Sequence, residues 1–124
     1  DKVKISTHVP DSLPPVRLNV ALFEWVIENL CKNAVDAMGG VGVLVISVQE
    51  TSRYWCIDVA DTGKGIDKRY FETVFAPGYT TKKRGWGLGL SLARRIVVEY
   101  HSGSIFVKQS EINKGTIFRI ELKK

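Results

Sequence analysis

The sequence predicts an α+β sandwich: a mixed, mostly antiparallel sheet covered on one face by about three helices. Three observations carry that expectation. One long segment repeats apolar residues every three or four positions, which marks a helix buried along one side. Several short segments are rich in Val, Ile and aromatic residues, with apolar positions alternating at period two, which marks strands. The strands pair through short, turn-rich connections, which favours hairpins over helical crossovers.

Val3 to Val9 is short and β-like and stops at Pro10. Pro10 and Pro14-Pro15 mark a loop. Leu22, Phe23, Val26, Ile27, Leu30, Ala34 and Ala37 place a helix over Leu18 to Met38, capped by Asn19 and ended by Gly39-Gly40. Val41 to Gln49 is a strand. Thr51-Ser52-Arg53 turns the chain into a second strand, Tyr54 to Ala60, with Trp55, Ile57 and Val59 on one face. Asp61-Thr62-Gly63-Lys64-Gly65 is a glycine turn, and Asp67 caps a short helix reaching about Phe75. Ala76 to Gly89 has loop composition. Leu90 to Tyr100 is a helix with Leu92, Ile96 and Val97 inward, broken by Gly103. Ser104 to Gln109 and Thr116 to Leu122 close the fold as a hairpin, with a loop around Asn113-Lys114-Gly115. Thr116, Phe118, Ile120 and Leu122 share one face of the last strand.

Length and composition bound the rest. The 124 residues (13.9 kDa) make one domain over 1–124, with room for one core. Apolar residues are 44% and charged residues 25%, which excludes a disordered or fibrous chain. No apolar run approaches the ~20 residues of a membrane span, and the first ten residues hold no apolar signal region. Cys31 and Cys56 each sit in an apolar run, as reduced core residues do. His8 and His101 have no neighbours that mark them for chemistry.

The net charge is +5, and its excess is local. Between Lys64 and Arg95, Lys64, Lys68, Arg69, Lys82, Lys83, Arg84, Arg94 and Arg95 face only Asp67 and Glu72. The same stretch is rich in glycine. A basic, glycine-rich segment suits a phosphate-bearing small ligand better than a nucleic-acid face.

Three groups of residues look like chemistry. Asn29 and Asn33 lie four apart on one helical stripe, in line with Leu22 and Val26. Carboxamides on an apolar face need partners, either nearby backbone or a ligand, and a carboxamide oxygen suits Mg²⁺. Asp61 ends a strand, where a carboxylate accepts from an exocyclic amine; a plain β-to-α turn would use the same residues. Gly85-Trp86-Gly87-Leu88-Gly89 opens a helix but fits neither the dinucleotide pattern nor a P-loop. It still offers backbone N–H groups to phosphate, and Thr80-Thr81-Lys82-Lys83-Arg84 supplies hydroxyls and cations before it.

Together and in this order, the pieces resemble the ATP-binding catalytic domain of sensor histidine kinases, in the superfamily of type II topoisomerases, heat-shock chaperones and mismatch-repair ATPases. Glu28 through Met38 resembles the N box, and Asp61 through Gly65 the first glycine box. Phe71 to Phe75 with Tyr79-Thr80-Thr81-Lys82 resembles the F box. Gly85 through Leu90 resembles the second glycine box, and Gly115-Thr116-Ile117-Phe118 the terminal G-T-x-F element. The likeness covers about residues 3–122.

The resemblance implies a Bergerat-type fold with ATP and Mg²⁺ as cofactors. Asn33 would bind the Mg²⁺ that bridges the phosphates, and Asn29 stands beside it in the catalytic position. Asp61 would read the adenine amine, with Thr116 supporting it through water. Gly63, Gly65 and Ile66 would shape the adenine pocket. Thr80, Thr81, Lys82, Lys83 and Arg84 would reach phosphates from a lid at about 76–88, hinged at Gly78 and Gly85 and continued by Gly87, Leu88, Gly89 and Leu90. The frequent lysine three residues after the metal asparagine is Asp36 here, so Lys32 or the lid would supply that contact.

Hydrolytic relatives and anti-sigma serine kinases carry a glutamate where Asn29 stands. Glu28 is rotated about 100° away from that place. The resemblance therefore implies a protein-histidine kinase domain, rather than an ATPase, a serine kinase or a binding module without catalysis. Its phosphate would go to a histidine on a separate helical hairpin upstream in the same kinase, and from there to a response regulator. The domain would face the cytoplasm without inserting into a membrane, as the C-terminal part of a longer kinase.

Overall fold

A computed structural model of the protein describes residues 2–10, 18–79 and 89–124, so Pro14-Pro15 lies outside the described residues. The chain runs from strand β1 (Lys2–His8) into helix α1 (Val20–Ala37), then β2 (Val41–Glu50) and β3 (Tyr54–Asp61). Two 3-10 turns follow, at Lys68–Tyr70 and Thr73–Phe75. Helix α2 (Gly89–Arg95) passes into a π-helical turn at Ile96–Tyr100, and β4 (Ser104–Glu111) and β5 (Gly115–Lys123) complete the sheet.

Helix α1 begins as the sequence requires. The Asn19 side chain accepts from the Leu22 backbone N–H at 3.1 Å, satisfying one of the free donors of the first turn. Phe23, Val26, Leu30 and Ala34 are buried along one stripe. His101 has a structural task here. Its Nε2 accepts from the Asn19 backbone N–H at 3.0 Å, which leaves Nδ1 to donate to the Ile96 carbonyl at 3.1 Å. The start of α1 is thereby fastened to the π turn.

The sheet order is β1-β2-β3-β5-β4. β1 pairs parallel with β2 across the α1 crossover, and the other pairs are antiparallel. Helices cover one face. On it the rows Ile46–Val59–Phe118–Val107 and Ile57–Ile120–Ile105 meet the apolar stripe of α1 together with Ala93 and Val97. Two expectations need correction. The segment after Asp67 forms two short 3-10 turns, although Asp67 does cap the first by accepting from Arg69 N–H at 3.0 Å. Leu92 is exposed, because the inward stripe of α2 runs through Ala93 and Val97, and Leu92 is turned about 100° from Ala93.

The uncovered face carries its own polar anchor. Asp58 lies opposite Arg119, and the guanidinium binds it in two places, at 2.7 and 2.9 Å, with Lys108 at 3.5 Å. Burial pushes the Asp58 carboxyl up, but Arg119 and Lys108 outweigh it and hold it below its ordinary value. A depressed carboxyl stabilises the fold above its unfolded pKa and loses that contribution as pH falls through the folded one. Arg119→Ala should therefore cost about 1–3 kcal/mol at pH 7, since it strands a buried carboxylate with only Lys108 beside it. The loss, read from urea unfolding, should shrink as pH drops below 4. An equal loss at pH 3 and pH 7 would show that Arg119 matters for packing alone.

Candidate functional site

Strand parity builds the site. Alternation along β3 points Trp55, Ile57 and Val59 at the helices, and the next residue in that row is Asp61. Its cross-strand partners are Leu44 on β2 and Thr116 on β5, and Ser110 of β4 stands beyond Thr116. The carboxylate thus occupies a place in the core row and is only 8% exposed. Its Oδ1 accepts from Gly63 N–H at 2.8 Å, and the Thr116 backbone N–H also donates to it. Burial raises the Asp61 pKa, the two backbone bonds lower it, and burial prevails.

The glycine turn after Asp61 is pinned on three sides. Lys64 N–H donates to Ala37 C=O at 2.9 Å, at the end of α1. Asn113 N–H donates to Lys64 C=O at 2.8 Å, from the β4–β5 turn. Ile66 N–H donates to Ser110 Oγ at 2.7 Å. Gly65 sits at φ +78°, and a Cβ there would run into the Glu111 carbonyl, so this position needs glycine.

These elements enclose a cavity of about 730 Å³. Asn29, Asn33, Asp36 and Ala37 form the α1 wall, and Asp61, Thr116 and Phe118 the sheet side. Lys64 through Asp67, then Tyr70, Val74 and Tyr79, form another wall, and Ile112 and Asn113 reach in from the hairpin. Arg94 braces the 3-10 segment: it bonds Glu72 at 3.0 Å and lies 4.2 Å over the Phe75 ring, which meets Phe118 edge-on at 6.0 Å.

Asn29 and Asn33 share one face, as their spacing requires, and both line the cavity. The Asn29 carboxamide packs where Gly89 has no side chain: a Cβ on Gly89 would stand 2.6 Å from Oδ1 and 2.8 Å from Nδ2. Asn29 Nδ2 is buried and has no partner among the described residues. Among the described residues, no group of three His, Cys, Asp or Glu could hold a metal by itself. The donor set at this wall fits Mg²⁺ as an ion held by one or two side-chain oxygens, with phosphates and water completing its shell.

The cavity therefore brings together Asn29, Asn33, Asp61, Gly65, Ile66, Gly89, Leu90 and Thr116. Gly63 is buried and contributes its N–H to Asp61 without lining the cavity. Lys32 is exposed and stands outside the lining. Thr80, Thr81, Lys82, Lys83, Arg84, Gly85, Gly87 and Leu88 lie outside the described residues. Sequence reasoning missed Ser110, Ile112, Tyr70 and Tyr79. The tyrosines, with ring centres 6.4 Å apart, had a signal in the aromatic content of 70–79; Ser110 had none.

Comparison with known proteins identifies the family of the chain. Residues 19–124 match the model of the family described as histidine kinase-, DNA gyrase B-, and HSP90-like ATPase. The chain is 38% identical over 121 residues to the sensor histidine kinase ZraS of Escherichia coli strain K12, covering 98% of this chain and 26% of that protein. It thus spans about a quarter of that relative's length. It also resembles the catalytic domain of the histidine kinase ThkA, with TM-score 0.85 and 29% identity over 98% of this chain and 80% of that one. A crystal structure of ThkA in complex with the response regulator protein TrrA matches with TM-score 0.82 and 26% identity, covering 98% of this chain and 34% of that one.

Two tests probe the site without a ligand. Gly89→Ala should destabilise the chain by about 1–3 kcal/mol through overpacking against Asn29. In an Asn29→Ala background the same change should cost far less, and a double-mutant cycle by chemical unfolding measures the difference. For Asp61, a raised carboxyl pKa means that the folded state disfavours the charge, at a cost fully present above the folded pKa and relieved as pH falls toward the unfolded value. Asp61→Asn keeps an oxygen for Gly63 N–H and removes that charge. Its Tm without ligand at pH 7 should rise by a few degrees over the parent, the gap closing toward pH 4. A lower Tm for Asp61→Asn throughout would show the charge to be stabilising.

Proposed function

The chain belongs to the histidine kinase-, DNA gyrase B-, and HSP90-like ATPase family, and on that premise we propose that it is the Mg²⁺–ATP-binding catalytic domain of a sensor histidine kinase. It would present the γ-phosphate to a histidine on a separate helical hairpin of the same kinase, outside this chain. From there the phosphate would pass to a response regulator. ZraS and ThkA, both histidine kinases, support this reading, as does the fact that neither His8 nor His101 lines the cavity. Among the described residues no helix is long and apolar enough to cross a membrane, and we place the domain on the cytoplasmic side of its kinase.

The observation that carries the proposal is the Asp61 carboxylate, buried at the sheet side of the cavity and bonded by backbone N–H groups. Its remaining lone pairs suit the exocyclic amine of adenine. The glycine turn lets the backbone lie close to the base. Asn33 lies one turn of α1 before Ala37, whose carbonyl holds the glycine turn, and Asn29 one turn further; the two mark the phosphate end. Mg²⁺ there would neutralise phosphate charge, with Asn33 as its protein ligand, while Asn29 fills the wall beside it.

Transfer to a protein histidine is favoured over hydrolysis by one position. Asn29 has no basic group to draw a proton from water. Glu28 is exposed and lines a separate groove with Leu18, Val20 and Phe23, so it does not substitute.

Calorimetry should find this chain binding ATP and a non-hydrolysable analogue, with turnover below about 1 s⁻¹. No binding of either at millimolar nucleotide would reject the reading, as would faster hydrolysis. Asp61→Ala should weaken ATP roughly 10- to 150-fold, the worth of a charge-assisted hydrogen bond of about 1.5–3 kcal/mol. GTP, which carries a carbonyl at that edge, should change far less. Asn33→Ala should abolish the part of ATP affinity that depends on Mg²⁺ and leave the metal-free part.

A further inference from the structure

β1 is an edge of the sheet, and it is not guarded as the other edge is. Among the described residues it pairs with β2 alone. At the far edge, β4 breaks its register between Val107 and Gln109, with the exposed Lys108 at the break. Such irregularity and charge keep foreign strands away. β1 instead holds an unbroken register with β2 from Lys2 to His8 and contains no proline. Its alternate residues therefore turn N–H and C=O groups outward along a regular line. β1 also reaches beyond the helix layer. Helix α1 packs over β2 and β3. Ile5 belongs to the row of Leu44 and Asp61, yet it is 63% exposed.

Parity sorts the two faces of this edge. Val3, Ile5 and Thr7 share the helix-covered face, and Lys2, Lys4, Ser6 and His8 share the other. Consider a second β1 laid antiparallel beside it with Ile5 at the centre. Ile5 then faces Ile5, Val3 faces Thr7, Lys4 faces Ser6 and Lys2 faces His8. No lysine faces a lysine, and the apolar side chains meet on one face. The two Lys4 side chains stand on a diagonal, in the open, where solvent and salt screen them. A slip toward the start of the strand sets Lys4 against Lys4, or Lys2 against Lys4, with like charges directly opposed. A slip the other way leaves only Lys4–His8 paired and parts the two Ile5 side chains. A slip by a single residue would set apolar side chains against the polar face. The lysines thus penalise competing registers and spare this one.

We propose that β1 is a self-complementary docking edge, to which a second copy of this chain adds its own β1, antiparallel, about a two-fold axis at Ile5. The two five-stranded sheets become one, with both helix layers on the same side. The joint lies in the row Thr116–Asp61–Leu44–Ile5, which carries the buried acid of each cavity.

The test uses this chain without nucleotide, so its outcome is independent of the adenine reading. The contact is one strand wide, at the weak end of protein interfaces. Sedimentation velocity should show monomers giving way to dimers at roughly tens to hundreds of micromolar. Ile5→Lys sets two ammonium groups face to face and should raise the dissociation constant about tenfold or more. A cysteine pair reads the register. Directly opposed residues have Cα atoms about 4.5–5.5 Å apart, within reach of a disulfide. In a Cys31→Ala background, with Cys56 buried, Ile5→Cys should crosslink to its own copy in oxidised glutathione. Thr7→Cys, which faces Val3, should not. A parent that stays monomeric at millimolar concentration leaves the edge to some other strand and overturns the proposal. A dimer that Ile5→Lys leaves intact uses another surface and overturns it too. Equal crosslinking of Thr7→Cys and Ile5→Cys refutes the register on which it stands. If Ile5→Lys fails to fold, the two cysteine variants decide alone.

Discussion

A carboxylate stands where the core row of β3 calls for a hydrophobic side chain, and most of the site follows from accommodating it. Asp61 cannot reach water freely, and an ionised group with no partner in such a place would cost far more than a domain's spare stability. The chain supplies backbone donors. Gly63 N–H comes from a turn that folds back on the end of its own strand, and Thr116 N–H from the register of β5. Each requirement propagates. The turn holds its shape because Ala37, Asn113 and Ser110 bond it, so the end of α1, the hairpin and the last residues of β4 converge on one place. The donors lessen the penalty without cancelling it, which is why burial still pushes the carboxyl up from its ordinary value. A ligand amine would lessen it further.

Asp58, three residues earlier on the same strand, shows how much parity decides. It points to the uncovered face, where Arg119 and Lys108 reach it, and its carboxyl is held low. Asp61 points to the helix-covered face, where it meets backbone donors, and its carboxyl is pushed up. Both are buried acids on β3. One is matched by charge and anchors the sheet. The other keeps capacity for a new partner at the edge of a cavity. The fold spends its arginine on the structural acid and withholds it from the ligand-facing one.

Much of this was legible in the sequence because it rests on local chemistry. Asn19 was readable as a cap from its place before an apolar stripe, and the period-two row Trp55–Ile57–Val59 leads straight to Asp61. The i, i+4 spacing of Asn29 and Asn33 was enough to put both on one wall. Leu92 failed because α2 is short, and a few residues do not fix a phase: an inward stripe through Leu92 and Ile96 reads as well as one through Ala93 and Val97. Ser110 failed for a longer-range reason. Counting alternately from Ile105 and Val107 would turn Gln109 inward and Ser110 outward. The irregularity between Val107 and Gln109 sets two residues of β4 against Ile117, reverses the parity, and delivers Ser110 to Thr116. Nothing in the local residue pattern announces that extra residue. The parallel β1–β2 pair was likewise set by the α1 crossover, which no strand shows by itself.

The same reasoning couples the chemistry of position 29 to the packing of α2. Gly89 opens that helix, and the space its missing side chain leaves is filled by the Asn29 carboxamide. A glutamate at 29 would carry one more methylene and a charge into that space. It would have to displace the start of α2 or turn its carboxylate into the cavity, toward the phosphate end. A base for water at this position is therefore also a different contact between α1 and α2, and the two properties would have to change together. With asparagine and glycine in place, the wall closes tightly against the helix at this point, and position 29 offers no proton acceptor stronger than an amide oxygen. In the proposed function that suits a domain which must keep its nucleotide intact until the acceptor histidine arrives.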